Sequence, residues 1–274
     1  MTHNGAMVAD DRDDLATLLR LCRAELIGTA LLVAVGLSFD IFDLGRDSPL
    51  ATLLPSVAAR RALTGGLFGA TGMPIALSPV GRVSGAHINP VVSLAFWAEG
   101  ALPGRTLVTF VVSQCAGGVA GGAPLLLWGG RGSSISYGAT EPGPHGIWVA
   151  FGGETVTTFA MVVVVLVMVA HRRLRAFTPF VFPPLCCLMV WVEAPLSGTS
   201  TNPARSLGPD VVSLAPHAYW LYVVAPAVGA LLGVAVRHLL PLVADLRIDV
   251  AKVAHFEDDA VHPLVSRVAA SGKA

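Results

Sequence analysis

The sequence repeats one short motif, and a lone glutamate precedes each copy within an apolar segment. Residues 84–91 read Ser-Gly-Ala-His-Ile-Asn-Pro-Val, and residues 197–204 read Ser-Gly-Thr-Ser-Thr-Asn-Pro-Ala. Glu25 lies ahead of the first copy and Glu154 ahead of the second. Because the order of glutamate and Asn-Pro is duplicated, the sequence predicts two equivalent halves that build one shared site.

The stretches between the charged residues are long and apolar. Hydrophobic residues make up 54% of the 274 residues and charged residues only 13%, a composition typical of membrane proteins. A helix needs roughly 17–25 mainly apolar residues to cross a bilayer. Six segments meet or approach this length, and they predict an all-α membrane protein with six transmembrane helices. The segments are Ala24 to Phe39, Ala62 to Val80, Thr106 to Trp128, Ile147 to Ala170, Ala176 to Val192 and Ala218 to Val236.

The basic residues predict how these spans are oriented. Lys and Arg concentrate in cytoplasmic loops, and placing both termini in the cytoplasm puts most of them on that side, including Arg172, Arg173 and Arg175. The pair Arg60 and Arg61 falls on the opposite side, against the rule. Each half has three spans, an odd number, so the second half enters the membrane inverted relative to the first. We expect a multi-pass protein of the inner or plasma membrane.

Each Asn-Pro begins a helix that is too short to cross the membrane. Asn is a favoured N-cap and Pro a favoured first helical residue, while the residue before Pro is pushed out of the helical conformation. We therefore predict two half-helices in re-entrant loops, completing an inverted repeat. The inversion makes their N-termini face each other, and each N-terminus is worth roughly half a positive charge. Cations and protons meet a barrier there.

The loops that lead into the half-helices must be satisfied inside the membrane. Irregular backbone is tolerated at this depth only where it lines water or packs against protein, so the loop carbonyls are expected to line a polar path. An ionisable residue within a membrane helix is functional by default. We expect Glu25 and Glu154 to support the loops by accepting backbone N–H bonds. The alternative, a role in proton relay or catalysis, has no evident partner residue.

With these features the chain resembles the major intrinsic protein family, the aquaporins and aquaglyceroporins. The residues from Ser197 to Pro209 are the most specific part of the match, and a bacterial-type member is expected. The first motif departs from the family's usual Asn-Pro-Ala, because Val91 replaces the Ala. The resemblance implies six helices and two half-helices around a pore in each subunit of a homotetramer. The channel domain is expected at residues 23–240, with repeats at about 23–130 and 146–240. Residues 1–22 and 241–274 are expected to be a polar cytoplasmic segment and a cytoplasmic tail.

The same resemblance implies which residues form the pore. Its centre is expected to comprise Asn89, Pro90, Val91, Asn202, Pro203 and Ala204. The approaches are expected to be lined by Gly85, Ala86, His87, Gly198 and Ser200. The outer selectivity filter is expected to comprise the cation-repelling Arg205, Thr199, Val190 and either Phe68 or Gly69. Val190 stands where water-specific members usually carry His, which favours a wider opening.

The implied function is a passive channel for water or small uncharged solutes such as glycerol, urea or undissociated acids, excluding ions and protons. The sequence markers disagree and leave water and solute both open. The alternative is an ion-coupled secondary transporter, which can also use inverted repeats. We expect neither an enzyme nor a cofactor. A metal site is not expected either, since the four cysteines lack metal-ligand spacing with histidine. The net charge of zero, without a basic stripe, gives no reason to expect a nucleic-acid partner. The expected partners are the lipid bilayer and water or a small neutral solute.

Overall fold

A computed structural model describes residues 3–215, 218–240 and 246–255, with side chains from residue 15 onward. The elements assigned in these ranges are all helices. We label the eight longest in chain order. They are α1 (His3–Leu44), α2 (Val57–Leu77), α3 (Pro90–Ala98), α4 (Gly104–Gly122), α5 (Ile147–Ala170), α6 (Thr178–Ser197), α7 (Pro203–Ser213) and α8 (Tyr219–Arg237). Parts of the predicted N-terminal segment and of the predicted tail, residues 1–2, 241–245 and 256–274, lie outside the described residues.

Five helical stretches of the described chain are long and apolar enough to cross a membrane. They are Leu15–Leu44, Gly104–Ser133, Ile147–Ala170, Arg175–Ser197 and Tyr219–Arg237. The predicted second span corresponds to α2, whose 21 residues cover about 32 Å. This helix carries Arg60, Arg61 and several glycines, which make it less apolar than the others. The prediction of an all-helical membrane fold with two additional half-helices agrees with the structure.

The structure explains the position of Arg60, one of the two arginines that fall on the side where the orientation rule expects few basic residues. The Nη1 atom of Arg60 donates to the backbone carbonyl of Asp43 at 2.7 Å and lies 3.7 Å from its carboxylate. Thr64 on α2 donates a hydrogen bond to the Asp43 carboxylate, at 2.5 Å. Asp43 is fully buried at the end of α1. Arg60 is therefore the partly buried partner of a buried acidic residue, and its position reflects this pairing.

Capping residues set one of the helix boundaries that the hydrophobic pattern misplaced. The predicted span Ala62 to Val80 continues past the end of α2, but the chain turns at Ser78, whose ψ is 169°. The Ser78 hydroxyl accepts backbone N–H bonds from Val80 and Gly81 and caps a separate short helix, Pro79–Ser84. Side-chain oxygens at such a cap satisfy N–H groups that have no partner within the helix.

The two halves pack in the same way. In the first half α1 lies against α4, and in the second α5 lies against α8, while α2 and α6 pack across the halves. Close backbone approach requires small residues at these crossings. A Cβ atom added to Gly117 would lie 2.4 Å from the carbonyl oxygen of Leu26, and one added to Gly229 would lie 2.4 Å from that of Thr155. Equivalent helices in the two halves are thus held by equivalent contacts.

A buried ion pair anchors the first half-helix. Glu99 follows α3 directly, and its carboxylate accepts two hydrogen bonds from Arg237 at the end of α8, at 2.6 and 2.8 Å. Both side chains are about 1% exposed, so neither charge has water to stabilise it. Removing one partner of such a pair is strongly destabilising, because the other charge is left uncompensated. The pair therefore fixes the end of α3 that points away from Asn89.

Candidate functional site

The two half-helices begin at the paired asparagines. Asn89 caps α3 by accepting the backbone N–H of Val91 at 3.0 Å. Asn202 caps α7 by accepting the N–H groups of Ala204 and Arg205 at 3.1 and 3.2 Å. In both helices the first residue is proline, which lacks an N–H and is suited to that position. The local rule that starts each half-helix is therefore the same.

The two asparagines are also connected across the centre of the molecule. The Nδ2 atom of Asn89 donates to the carbonyl of Thr201 at 2.8 Å, and that of Asn202 donates to the carbonyl of Ile88 at 2.9 Å. Each carboxamide thus uses its oxygen for its own helix and one N–H for the opposite loop. An amide nitrogen carries two hydrogens. One donor on each asparagine therefore remains for a molecule between the two helix starts.

The loops ahead of the asparagines share one backbone conformation. In each loop the residues four, three and one positions before the asparagine have positive φ. In the first loop they are Gly85 (92°), Ala86 (55°) and Ile88 (42°), and in the second Gly198 (84°), Thr199 (56°) and Thr201 (49°). Non-glycine residues in this region cost about 1–3 kcal/mol each and persist only when the surroundings hold them. Both loops must therefore be held by other groups.

Two buried carboxylates hold these loops. Glu25 on α1 accepts the backbone N–H groups of His87 and Ile88, at 3.0 and 2.6 Å. Glu154 on α5 accepts those of Ser200 and Thr201, at 2.6 and 2.9 Å. Hydrogen bonds to a charged acceptor are roughly twice as strong as neutral ones. Because the two carboxylates bind N–H groups of the loops, the loop carbonyls can point away from Glu25 and Glu154.

A cavity of about 220 Å³ opens beside the second loop. We call it the outer cavity, because the predicted orientation places it away from the cytoplasm. Its lining residues include Asp40, Phe68, Val190, Thr199 and Arg205. The guanidinium carbon of Arg205 lies 5.8 Å from the centroid of the Phe68 ring, within the range of a cation–π contact. The lining thus combines charged side chains with an aromatic and an aliphatic one.

A smaller cavity of about 60 Å³ lies beside the first loop, and we call it the inner cavity. Its lining includes Ala86, His87, both asparagines and Gly69. Phe68, Cys186, Ser200 and Thr201 line both cavities. Phe68 therefore stands between them, directly opposite Arg205.

The two candidates for the filter residue of α2 differ in their surroundings. Phe68 contacts Arg205 across the outer cavity. A Cβ atom added to Gly69 would lie 2.5 Å from the carbonyl oxygen of Phe182, so Gly69 allows α2 to pack closely on α6. Gly69 is a helix-packing residue that also borders the inner cavity. Of the two, Phe68 is the one whose side chain narrows the space at Arg205.

The structure also contains two acidic groups whose role the sequence pattern did not reveal. Asp40 forms an ion pair with Arg205, with 3.1 Å between Oδ2 and Nη2. Glu193 on α6 accepts hydrogen bonds from the hydroxyls of Ser197 and Thr199. Both residues lie near the ends of apolar helices, where a charge marks the end of a span. For Glu193, the spacing of four residues to Ser197 was a usable signal, since such residues share a helix face.

Comparison with known proteins identifies the family of this chain. A family profile described as "Major intrinsic protein" matches residues 14–237. The chain belongs to the major intrinsic protein family. Among its relatives, "Aquaporin NIP1-1" from Zea mays is 33% identical over 215 residues, covering 77% of this chain and 71% of that protein. "Aquaporin AqpM" from Methanothermobacter marburgensis is 32% identical over 240 residues, covering 80% and 96%.

A solved structure has the same fold as this chain. The aquaglyceroporin from Plasmodium falciparum matches with a TM-score of 0.66, covering 83% of this chain and 99% of that chain. Sequence identity is 20%, so the match establishes the fold. A multi-pass membrane protein follows from the family and the apolar helices together.

Proposed function

We propose that this major intrinsic protein is a passive channel for water and small uncharged solutes. The observation that carries the proposal is the meeting of two half-helix starts at Asn89 and Asn202, with a cavity on either side. A buried polar centre reached by cavities from two sides is suited to molecules that pass through. The family to which the chain belongs supports the same function.

The asparagines would select molecules that accept hydrogen bonds. Each keeps one N–H for the passing molecule, because the other donates to the opposite loop. The carbonyls of the two loops, held by Glu25 and Glu154, would supply acceptors along the path. Water and small hydroxylated solutes both donate and accept, and they can therefore exchange hydrogen bonds as they move.

The same centre would exclude cations. The N-termini of α3 and α7 each contribute roughly half a positive charge, and no acidic side chain lines the inner cavity among the described residues. We propose that Arg205 adds a second barrier at the outer cavity. The pore centre would then comprise Asn89 and Asn202 with the residues that follow each of them.

We assign the outer filter to Arg205, Thr199, Val190 and Phe68. Val190 supplies an apolar wall, and Phe68 narrows the opening opposite the arginine. The hydroxyl of Thr199 donates to Glu193, so it presents its oxygen rather than its hydrogen to the cavity. His87 hydrogen-bonds Ser93 and lines the inner cavity as part of the cytoplasmic approach.

The assembly and orientation are also proposals. Exposed apolar side chains cover the outer faces of the helices, among them Val108, Val112, Val156, Trp191 and Val192. Such faces suit lipid and neighbouring subunits. We propose a homotetramer in the cell membrane with both termini in the cytoplasm, which cross-linking in native membranes and protease accessibility from each side would test.

Stopped-flow light scattering on proteoliposomes tests the proposed function. Vesicles shrink in an osmotic gradient of an impermeant solute, and they re-swell if glycerol or urea follows. We expect shrinkage faster than in protein-free vesicles, and the re-swelling rates report which solutes pass. Shrinkage at the protein-free rate, with no re-swelling in any solute, would contradict the proposal.

A further inference from the structure

The outer cavity contains a negative charge that balances Arg205. The carboxylate of Asp40, near the end of α1, lies 3.1 Å from the Nη2 atom of Arg205, and the Nη1 atom donates to the carbonyl of Gly138 at 2.8 Å. The two side chains are only 13% and 7% exposed, yet both line the cavity. The filter therefore presents a pair of opposite charges rather than a lone cation.

We infer that Asp40 determines the charge selectivity of the channel. This inference rests on the proposed function. An arginine without a counter-charge repels cations but attracts anions. In a partly buried site, a carboxylate 3.1 Å from the guanidinium strongly reduces that attraction. With Asp40 in place the filter discriminates against ions of both signs. Oδ1 of Asp40 also gives a neutral solute an acceptor next to the guanidinium donors, which favours molecules with hydroxyl or amide groups.

The Asp40→Asn variant tests this inference, because it removes the charge and keeps the shape. Vesicles containing an entrapped chloride-sensitive dye or a potassium-sensitive dye report the two leaks, and water permeability is measured on the same preparations. Asp47→Asn is the matched control, since Asp47 is exposed beyond the same helix. We expect chloride leak to rise about tenfold or more in Asp40→Asn, with potassium leak no higher than in the wild type and water permeability unchanged. The control should match the wild type.

The double variant Asp40→Asn/Arg205→Gln removes both charges and should return chloride leak to the level of the wild type. An unchanged chloride leak in Asp40→Asn would overturn the inference. Equal rises in chloride and potassium leak would also overturn it, because they would mean that Asp40 only holds the filter together. If the wild type passes neither water nor solute, the proposed function itself fails, whereas a wild type that conducts water beside an Asp40→Asn variant with unchanged chloride leak overturns only the role of Asp40.

A second and independent observation concerns the segment 246–255, which folds back under the first loop. The N–H of Val253 donates to the carbonyl of Gly85 at 2.8 Å, and the Nζ atom of Lys252 donates to the carbonyl of Arg82 at 3.1 Å. The carbonyl of Ala251 is 2.9 Å from the Nε2 atom of His87. The segment is therefore bound to the backbone of the loop and to the histidine that lines the inner cavity.

The segment is also packed as tightly as the core. Ile248, Ala251, Val253 and Ala254 are each at most 2% exposed. Val253 lines the inner cavity, and Ala254 packs against Ala86 of the first loop. A chain segment that is hydrogen-bonded and buried at the mouth of a cavity restricts access to it.

We propose that residues 246–255 form a plug that narrows the inner mouth of the pore and lowers its permeability without abolishing it. Two truncated chains test the proposal. A chain ending at Asp245 lacks the plug, and a chain ending at His255 keeps it and serves as the control. We expect the shorter chain to have several-fold higher water permeability per protein than the full chain, and the control to match the full chain.

Thiol accessibility gives a readout that does not depend on flux. With the four native cysteines replaced by alanine, Ala86→Cys should react with a membrane-impermeant thiol reagent much faster in the chain ending at Asp245 than in the control. If that chain does not fold, Val253→Pro serves instead, since it removes the N–H that binds Gly85. Equal permeability and equal thiol reactivity with and without the plug would overturn the proposal. A control chain as permeable as the chain ending at Asp245 would also overturn it, because residues 246–255 would then not suffice to narrow the pore.

Discussion

Replacing Glu25 by Gln is expected to cost several kcal/mol, because its carboxylate holds three N–H donors. It accepts the backbone N–H groups of His87 and Ile88 and the side-chain N–H of Gln114, at 3.0, 2.6 and 2.7 Å. A carboxamide has one oxygen, and its NH₂ group must face at least one of these donors. Losing one charge-assisted bond costs about 1.5–3 kcal/mol, and leaving a buried donor unsatisfied costs about 1–3 kcal/mol.

The sum is about 2.5–6 kcal/mol, a large part of a typical folding free energy. We expect the unfolding midpoint of the purified protein to fall by about 10 °C. Water permeability should fall as well, since Ile88 would leave its strained conformation and displace the carbonyl that binds Asn202. Exposed Glu141, replaced by Gln, is the control and should change neither quantity. A Glu25→Gln variant with the midpoint and permeability of the wild type would refute this account of the loops.

Three further changes probe the filter and the packing behind it. Phe68→Ala removes the ring between the two cavities and should raise the ratio of glycerol to water permeability several-fold; an unchanged ratio in stopped-flow measurements would place the constriction elsewhere. Val190→His adds a polar wall opposite Arg205 and should shift the same ratio toward water, whereas an equal loss of both permeabilities would indicate simple blockage. Gly118→Ala places a Cβ atom 2.1 Å from the carbonyl oxygen of Ala204 and should lower the free energy of unfolding by about 1–3 kcal/mol, as measured by thermal unfolding. Gly152→Ala is its control and should not destabilise the protein, because a Cβ atom there has no neighbouring atoms within 4 Å.

The architecture was predictable because it is written in local patterns. Each half-helix follows from an N-cap followed by proline, and these residues act on their immediate neighbours. The duplicated order of glutamate and Asn-Pro indicated the inverted repeat, since equivalent positions in the two halves carry the same residue types. Apolar length indicated the long helices, although Ser78 ended one of them earlier than hydropathy alone suggests.

Contacts between distant positions were not predictable from the pattern. Arg205 pairs with Asp40, 165 positions away, and His87 meets the carbonyl of Ala251, 164 positions away. Nothing in the local sequence of Asp40 distinguishes a filter residue from a charge at the end of a span. The segment 246–255 reads as part of a polar tail, and each hydrogen bond that holds it to the loop uses at least one backbone group, which carries no sequence signal. Such contacts depend on how the helices are arranged in space.

The central claim is that two half-helices meet to form a passive pore, and the temperature dependence of water flux tests it most directly. Osmotic shrinkage of proteoliposomes is measured over a range of temperatures, without any proton or sodium gradient, and is compared with protein-free vesicles. The account predicts fast shrinkage with the weak temperature dependence of water moving through a continuous path. Shrinkage as slow and as temperature-dependent as in protein-free vesicles would contradict it.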